Sequence, residues 1–110
     1  MDSRFELVHH PAAAQDFQRS RQWFMKIDED LADLFQADFR NVLRGIASGK
    51  SRSHVLASGE SIRWVKLARF SHKVFFIQDG PACRLILGVL SGKRHPALIQ
   101  QKLSRRNRRR

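Results

Sequence analysis

Residues 11–49 place the strongest constraint on the fold. Ala13, Phe17, Ser20, Phe24 and Ile27 recur at spacings of four, three, four and three, with Gln15, Gln18, Arg19 and Arg21 off that line. This is the period at which one stripe of an α-helix faces a core. Pro11 suits the first helical position, where its missing N–H loses no hydrogen bond. Asp28 then offers a side-chain oxygen for capping, and Glu29 and Asp30 add negative charge to a new first turn, where the helix dipole favours it. Leu31, Leu34, Phe35, Phe39, Val42, Leu43 and Ile46 make the stripe of this second helix, and Gly49 is its stop signal. Gly45 costs about 1 kcal/mol relative to Ala inside a helix, so the last turn is expected to fray or to pack closely. The two helices predict an antiparallel hairpin whose stripes need a second layer to cover them.

That layer is written in the flanking segments. FELVHH has the length and apolar content of a first strand, ended by Pro11. GKSRSHVLASGES lacks a sustained period and predicts a loop. SIRWVKLARF, KVFFIQ and ACRLILGVL predict three more strands, the last two joined by DGPA, whose Asp-Gly pair is a hairpin signal. In the last strand Cys83, Leu85, Leu87 and Val89 alternate with Arg84, Ile86, Gly88 and Leu90, so both faces are largely apolar and the strand is expected to be central or well covered. The order β-α-α-β-β-β, with a helical hairpin packed on a mostly antiparallel sheet, is an α+β fold of two layers. The sheet face away from the hairpin is then expected to be free for binding.

With 110 residues, 42% of them hydrophobic, the chain fits one domain with one core. The lone Cys83 excludes an internal disulfide and a Cys-based metal site, and is expected as a small buried residue. His9 and His10 would point to opposite faces of a strand and cannot share a metal, so neither metal nor cofactor is expected. Trp23 and Trp64 lie in apolar patterns and are expected in the core. No apolar run long enough for a membrane span and no signal-peptide pattern occurs, which predicts a cytoplasmic protein without a membrane partner.

The formal charge of +11 is unevenly placed: residues 1–48 carry 6 basic and 8 acidic side chains, and residues 49–110 carry 15 and 2. The C-terminal half is therefore the expected partner-facing half, a field that attracts phosphate backbones or acidic proteins. Its end, KLSRRNRRR, has six cations, no acid and only Leu103 to bury, so residues 104–110 are expected to be a disordered basic tail beyond a domain spanning residues 1–103.

Three segments together resemble the RelE/ParE superfamily of type II toxin–antitoxin systems, with the ParE-like branch the nearer. HHPAAAQDF resembles the family's short first strand running into a Pro-Ala helix start followed by an Asp. IRWVKLARFSHKVFFIQDG resembles its central hairpin, and GVLSGKRHP its last-strand exit into basic residues. The likeness covers roughly residues 5–96. It implies a two-layer RelE/ParE-like fold and a growth-inhibiting toxin neutralised by a cognate antitoxin, the pair repressing its own operator DNA.

The family includes DNA gyrase inhibitors and ribosome-dependent mRNA endonucleases. RNA cleavage by a 2′-hydroxyl needs proton acceptors and donors, and cations to hold the developing charge. Cations abound: Arg63, Lys66, Arg69, Lys73, Arg84, Lys93 and Arg94. Proton-transfer groups are sparser. RNA-cutting members generally carry a Tyr, or a His beside it, near the last strand's end, whereas this chain has no Tyr and has Ser91 where members often have His. His72, His95 and Glu60 remain as acid or base candidates.

The resemblance thus favours a gyrase inhibitor that works by binding through Arg63, Lys66, Arg69, Lys73, Lys93 and Arg94. A ribosome-dependent mRNA endonuclease using Arg63, Arg69, Arg94 and His95 is the alternative. A general basic nucleic-acid-binding module is a further one, although no zinc-finger spacing, Gly-rich phosphate loop or RRM-like aromatic signature supports it.

Overall fold

A computed structural model describes residues 3–56 and 61–108. Its helical hairpin follows the sequence periodicity, except that Ile27 and Leu34 of the expected stripes are exposed. Helix α1 spans Pro11–Ile27 and α2 spans Glu29–Ser48. His10 caps α1, its Nδ1 accepting the Ala12 N–H at 3.0 Å. Asp28 alone separates the helices and serves both, its N–H donating to the Phe24 carbonyl and its carboxylate accepting the Asp30 N–H. Gly49 ends α2 at φ 74°, a left-handed conformation that favours glycine. Phe17 stacks on Phe39 at 4.5 Å and Phe24 meets Phe35 at 5.1 Å, so partners run in opposite directions along the two helices. Trp23, expected in the core, is 63% exposed. It precedes Phe24 by one residue, about 100° around the helix, and Phe24 holds the inward position.

Strands β1 (Glu6–His9), β2 (His54–Val55), β3 (Arg63–Lys66), β4 (His72–Gln78) and β5 (Cys83–Ser91) form one sheet in the order β1-β5-β4-β3-β2. β1 runs parallel to β5 and the other pairs are antiparallel. β2 pairs two residues of the segment expected to be loop, as an exposed edge. The Asp-Gly hairpin forms as expected, closed by the Asp79 N–H on the Cys83 carbonyl at 2.8 Å. Cys83 is only half-buried, because it opens β5 near the sheet's rim.

One irregularity reverses the expected alternation in β5. Phe75 pairs with Gly88 and Phe76 with Ile86, leaving Leu87 as an extra residue. A bulge shifts a strand's two-residue phase by one. Leu85, Leu87 and Leu90 consequently share one face, and Ile86 and Val89 the other.

Both faces are covered. Against the hairpin, Phe35, Phe39, Val42 and Ile46 of α2 pack on Val74, Phe76, Ile86 and Val89. On the other face lies a third helix, α3 (Pro96–Arg108), whose Ile99 and Leu103 pack on Phe75, Leu85, Leu87 and Leu90. Residues 104–108, expected to be disordered, are therefore helical, and the face expected to be free is in part occupied. Two interactions account for this. Leu103 is fully buried, worth about 1.5–3 kcal/mol against exposure. Arg106 closes on Asp16 of α1 at 2.6 Å and also donates to the Leu87 carbonyl at 3.0 Å, while Asp16 accepts the Val89 N–H at 3.1 Å. β1 stops pairing at Ile86, where the His10 N–H donates, so this ion pair satisfies the edge of β5 beyond β1. Gly88 lets the helix approach: a Cβ there would lie 2.8 Å from an Arg106 Nη and 3.0 Å from Leu103.

Candidate functional site

The corner between β3 and β4 and the exit of β5 lie side by side. His72 pairs with Ser91, the Gly92 N–H donates to the Ser71 carbonyl at 2.9 Å, and the Ser71 and Ser91 hydroxyls are 3.3 Å apart. This gathers Arg69, His72, Lys93, Arg94 and His95 at one end of the sheet, with Lys66 and Lys73 paired across β3 and β4 next to them. Ser91 serves the turn here, its hydroxyl accepting the Lys93 N–H. Arg63 pairs with Phe76, three residues along β3 from Lys66 and so about 10 Å away. The expected binding residues thus divide into a cluster and one outlier.

Several of the cations also hold structure. Arg69 donates its backbone N–H, Nε and Nη2 to the Asp38 carboxylate, fixing the β3–β4 corner to α2, yet its side chain stays 52% exposed. These hydrogen bonds hold the Asp38 carboxyl below its ordinary value despite burial. Lys66 donates to the Leu67 carbonyl, and Arg63 donates to the side chain and carbonyl of Ser53. The Lys73 ammonium lies 4.0 Å from the Trp64 ring centre, and His54 stacks on the same ring at 4.4 Å. Trp64 is half-buried with these partners. Arg84 caps the end of α2 by donating to the Ile46 carbonyl and lies 3.9 Å over the Phe5 ring. Burial first, then Arg63 and Arg4, lower its pKa. Lys93 and Arg94 project from the exposed turn leading into α3.

The acid and base candidates have other roles or surroundings. His95 caps α3, its Nδ1 accepting the Ala97 N–H and its carbonyl the Leu98 and Ile99 N–H groups. His72 sits among Phe24, Phe35 and Phe70, its Nδ1 buried without a hydrogen-bond partner. Burial, and secondarily the charge on Arg94, pushes its pKa below 6.5, so the ring is neutral at pH 7. Glu60 lies outside the described residues. Among the described residues no cluster of His, Cys, Asp and Glu has the make-up of a metal site, and no helix is long and apolar enough to cross a membrane.

The structure adds a cleft that the sequence reading missed. Between α3 and the β5 exit lies a cavity of about 490 Å³, lined by Leu90, Leu98 and Ile99 together with Arg94, Lys102 and Arg105. Burial, then Arg94, Arg106 and Arg19, lowers the Lys102 pKa, an effect opposed by Asp16. The available signal was Pro96 after a capping residue, followed by Ile99 and Leu103 four apart. The density of arginines hid it.

Neither a family model nor a curated protein matches the chain by sequence. Among solved structures, the chain is similar to one described as "Chromosomal ParDE TA system from P. aeruginosa", at 15% identity and a TM-score of 0.67, over 82% of this chain and 98% of that one. At this identity the likeness is one of fold: the α+β, ParE-like fold implied by the three sequence segments is the fold the chain adopts.

Proposed function

We propose that this chain is the toxin of a type II toxin–antitoxin pair, working in the cytoplasm and neutralised by a cognate antitoxin with which it binds operator DNA. Its target on this reading is DNA gyrase, inhibited by binding. The observation that carries the reading is a ParE-like fold whose cations converge on one end of the sheet. Lys66, Arg69, Lys93 and Arg94 are exposed there, with Lys73 half-buried beside them and Arg63 about 10 Å along the strand.

The chemistry of the same region favours binding over RNA cleavage. His95 has one ring nitrogen committed to capping α3, and His72 is neutral with its Nδ1 among aromatic rings. His95 borders the cleft beside α3, but with its Nδ1 accepting a backbone N–H its other ring nitrogen carries the proton and donates rather than accepts, and the Nδ1 of His72 is buried. The test is induction in bacteria with plasmid supercoiling and transcript integrity measured together. Loss of negative supercoiling with intact transcripts is expected. Cleaved transcripts with normal supercoiling overturn the gyrase reading in favour of a ribosome-dependent endonuclease, and normal growth overturns the toxin reading itself.

A further inference from the structure

We propose that the guanidiniums of Arg4, Arg63 and Arg84, at the end of the sheet where β5 begins, form a binding site for a phosphate group, free or carried as a monoester. Arg63 stands apart from the cations at the β5 exit because it belongs to this second cluster. It pairs with Phe76 across β3 and β4, and the Arg84 guanidinium lies 5.2 Å from the centre of that Phe76 ring. Arg84 also lies 3.9 Å over the buried ring of Phe5, and the Arg4 guanidinium is 5.5 Å from the same ring. Two aromatic rings thus hold together cations from β3, from β5 and from the residues ahead of β1. The cluster is seven residues along β5 from Ser91, about 20 Å from the proposed target surface, and does not rest on the toxin reading.

The cations keep donors to spare. Arg84 spends Nε on the Gln78 side chain and Nη1 on the Ile46 carbonyl, which leaves Nη2. Arg63 spends Nε and Nη2 on Ser53, which leaves Nη1. Arg4 is exposed, and among the described residues none of the three is in an ion pair. Burial, then the charges of Arg63 and Arg4, lower the pKa of Arg84, a mutual repulsion that an anion relieves.

The arrangement favours phosphate over carboxylate. A carboxylate presents two coplanar oxygens, which the fork of one guanidinium serves. Donors reaching in from three segments suit tetrahedral oxygens, and a phosphate monoester carries a charge of about −1.5 to −2 at pH 7. Lys50 and Arg52, exposed in the segment that carries Ser53, strengthen the field. Arg63 and Arg84 are half-buried, so a compact anion reaches them more readily than a duplex backbone does. A phosphate bound here ties β1, β3 and β5 together at their entry and stabilises the folded chain by mass action.

The test is a titration of the full chain, followed by amide shifts and by thermal midpoint, with inorganic phosphate, glycerol phosphate, acetate and a duplex oligonucleotide at constant ionic strength. Phosphate is expected to raise the midpoint and to give saturable shifts at residues 4–5, 49–53, 63 and 84, with acetate about tenfold weaker or worse. Arg4→Gln and Arg84→Gln are each expected to weaken phosphate binding about fivefold or more, and Arg94→Gln, at the other end of the sheet, less than about twofold. Arg84 also caps α2, so if its variant unfolds, Arg4→Gln and the amide map decide. Binding of both phosphates supports a site open to a monoester, and binding of inorganic phosphate alone supports one for the free ion. No saturable shift, acetate binding as well as phosphate, or shifts centred on residues 91–94 overturns the site. An oligonucleotide that moves the same amides and loses as much affinity in Arg4→Gln assigns the cluster to a nucleic-acid backbone and overturns the small-anion ligand.

Discussion

Asp16 and Arg106, ninety residues apart, form a 2.6 Å ion pair that also accepts the Val89 N–H and donates to the Leu87 carbonyl. Both side chains are largely buried, so removal of either leaves a charge and a strand edge uncompensated. Arg106→Met is expected to lower unfolding free energy by about 3 kcal/mol, measured by urea denaturation. The double substitution Asp16→Asn with Arg106→Met should cost less than the sum of the two singles. Strict additivity would mean that the two residues act independently.

Gly88→Ala tests the close approach of α3. The added methyl meets Arg106 and Leu103 at 2.8 and 3.0 Å, and overpacking of this kind costs about 1–3 kcal/mol. The expected signature is faster amide exchange in α3 than in α2. Uniform change across both helices would place the strain elsewhere.

Asp38 makes stability depend on acid pH. Its carboxyl pKa is lowered in the folded state by Arg69, so the stabilisation is present above the ordinary value of 3.8 and is lost as pH falls through the depressed folded value. The urea midpoint of the parent is expected to fall below about pH 4, while Asp38→Asn starts lower and shows a shallower fall. Parallel profiles would remove Asp38 from the account.

His72 acts over a higher range. Its folded pKa lies below 6.5, so the unfolded chain takes up the proton first and stability declines as pH falls from 6.5 towards that lower value. His72→Phe is expected to flatten the thermal-midpoint profile in this window. A profile as steep as the parent's would assign the slope to other groups.

Arg94→Glu reverses a charge on an exposed turn without touching the core. Thermal unfolding should be nearly unchanged, while growth arrest on induction is relieved. Arrest at the parent level would remove Arg94 from the proposed target surface.

The hairpin was legible in its bounds because its signals are local: Pro11, Asp28 and Gly49 each act within one turn, although the cap on α1, His10, was read as strand. Strand order was not legible, since periodicity says nothing of which strand lies beside which. Apart from Trp23, the larger errors were non-local. Leu87 bulges only against β4, so alternation misassigned Val89 and Leu90. Arg106 looked like one more solvated cation because its partner, Asp16, lies on α1 at the far end of the chain. At the sheet's end, charge singled out Arg69 and Arg94, which sit at the β3–β4 corner and the β5 exit. It could not show that Arg69 is also an anchor, that His95 is a cap, or that Lys102 and Arg105 line a cleft.

The parallel pairing of β1 with β5 and the clasp of Asp16 on Arg106 give the chain an order of completion. β1 finds its ladder partner only after residues 83–86 have been made, and the edge of β5 beyond them is satisfied only when residue 106 arrives. Contacts of such long sequence separation form late and slowly. A chain that stops short of Arg106 therefore holds a finished hairpin but leaves the edge of β5 beyond β1 open.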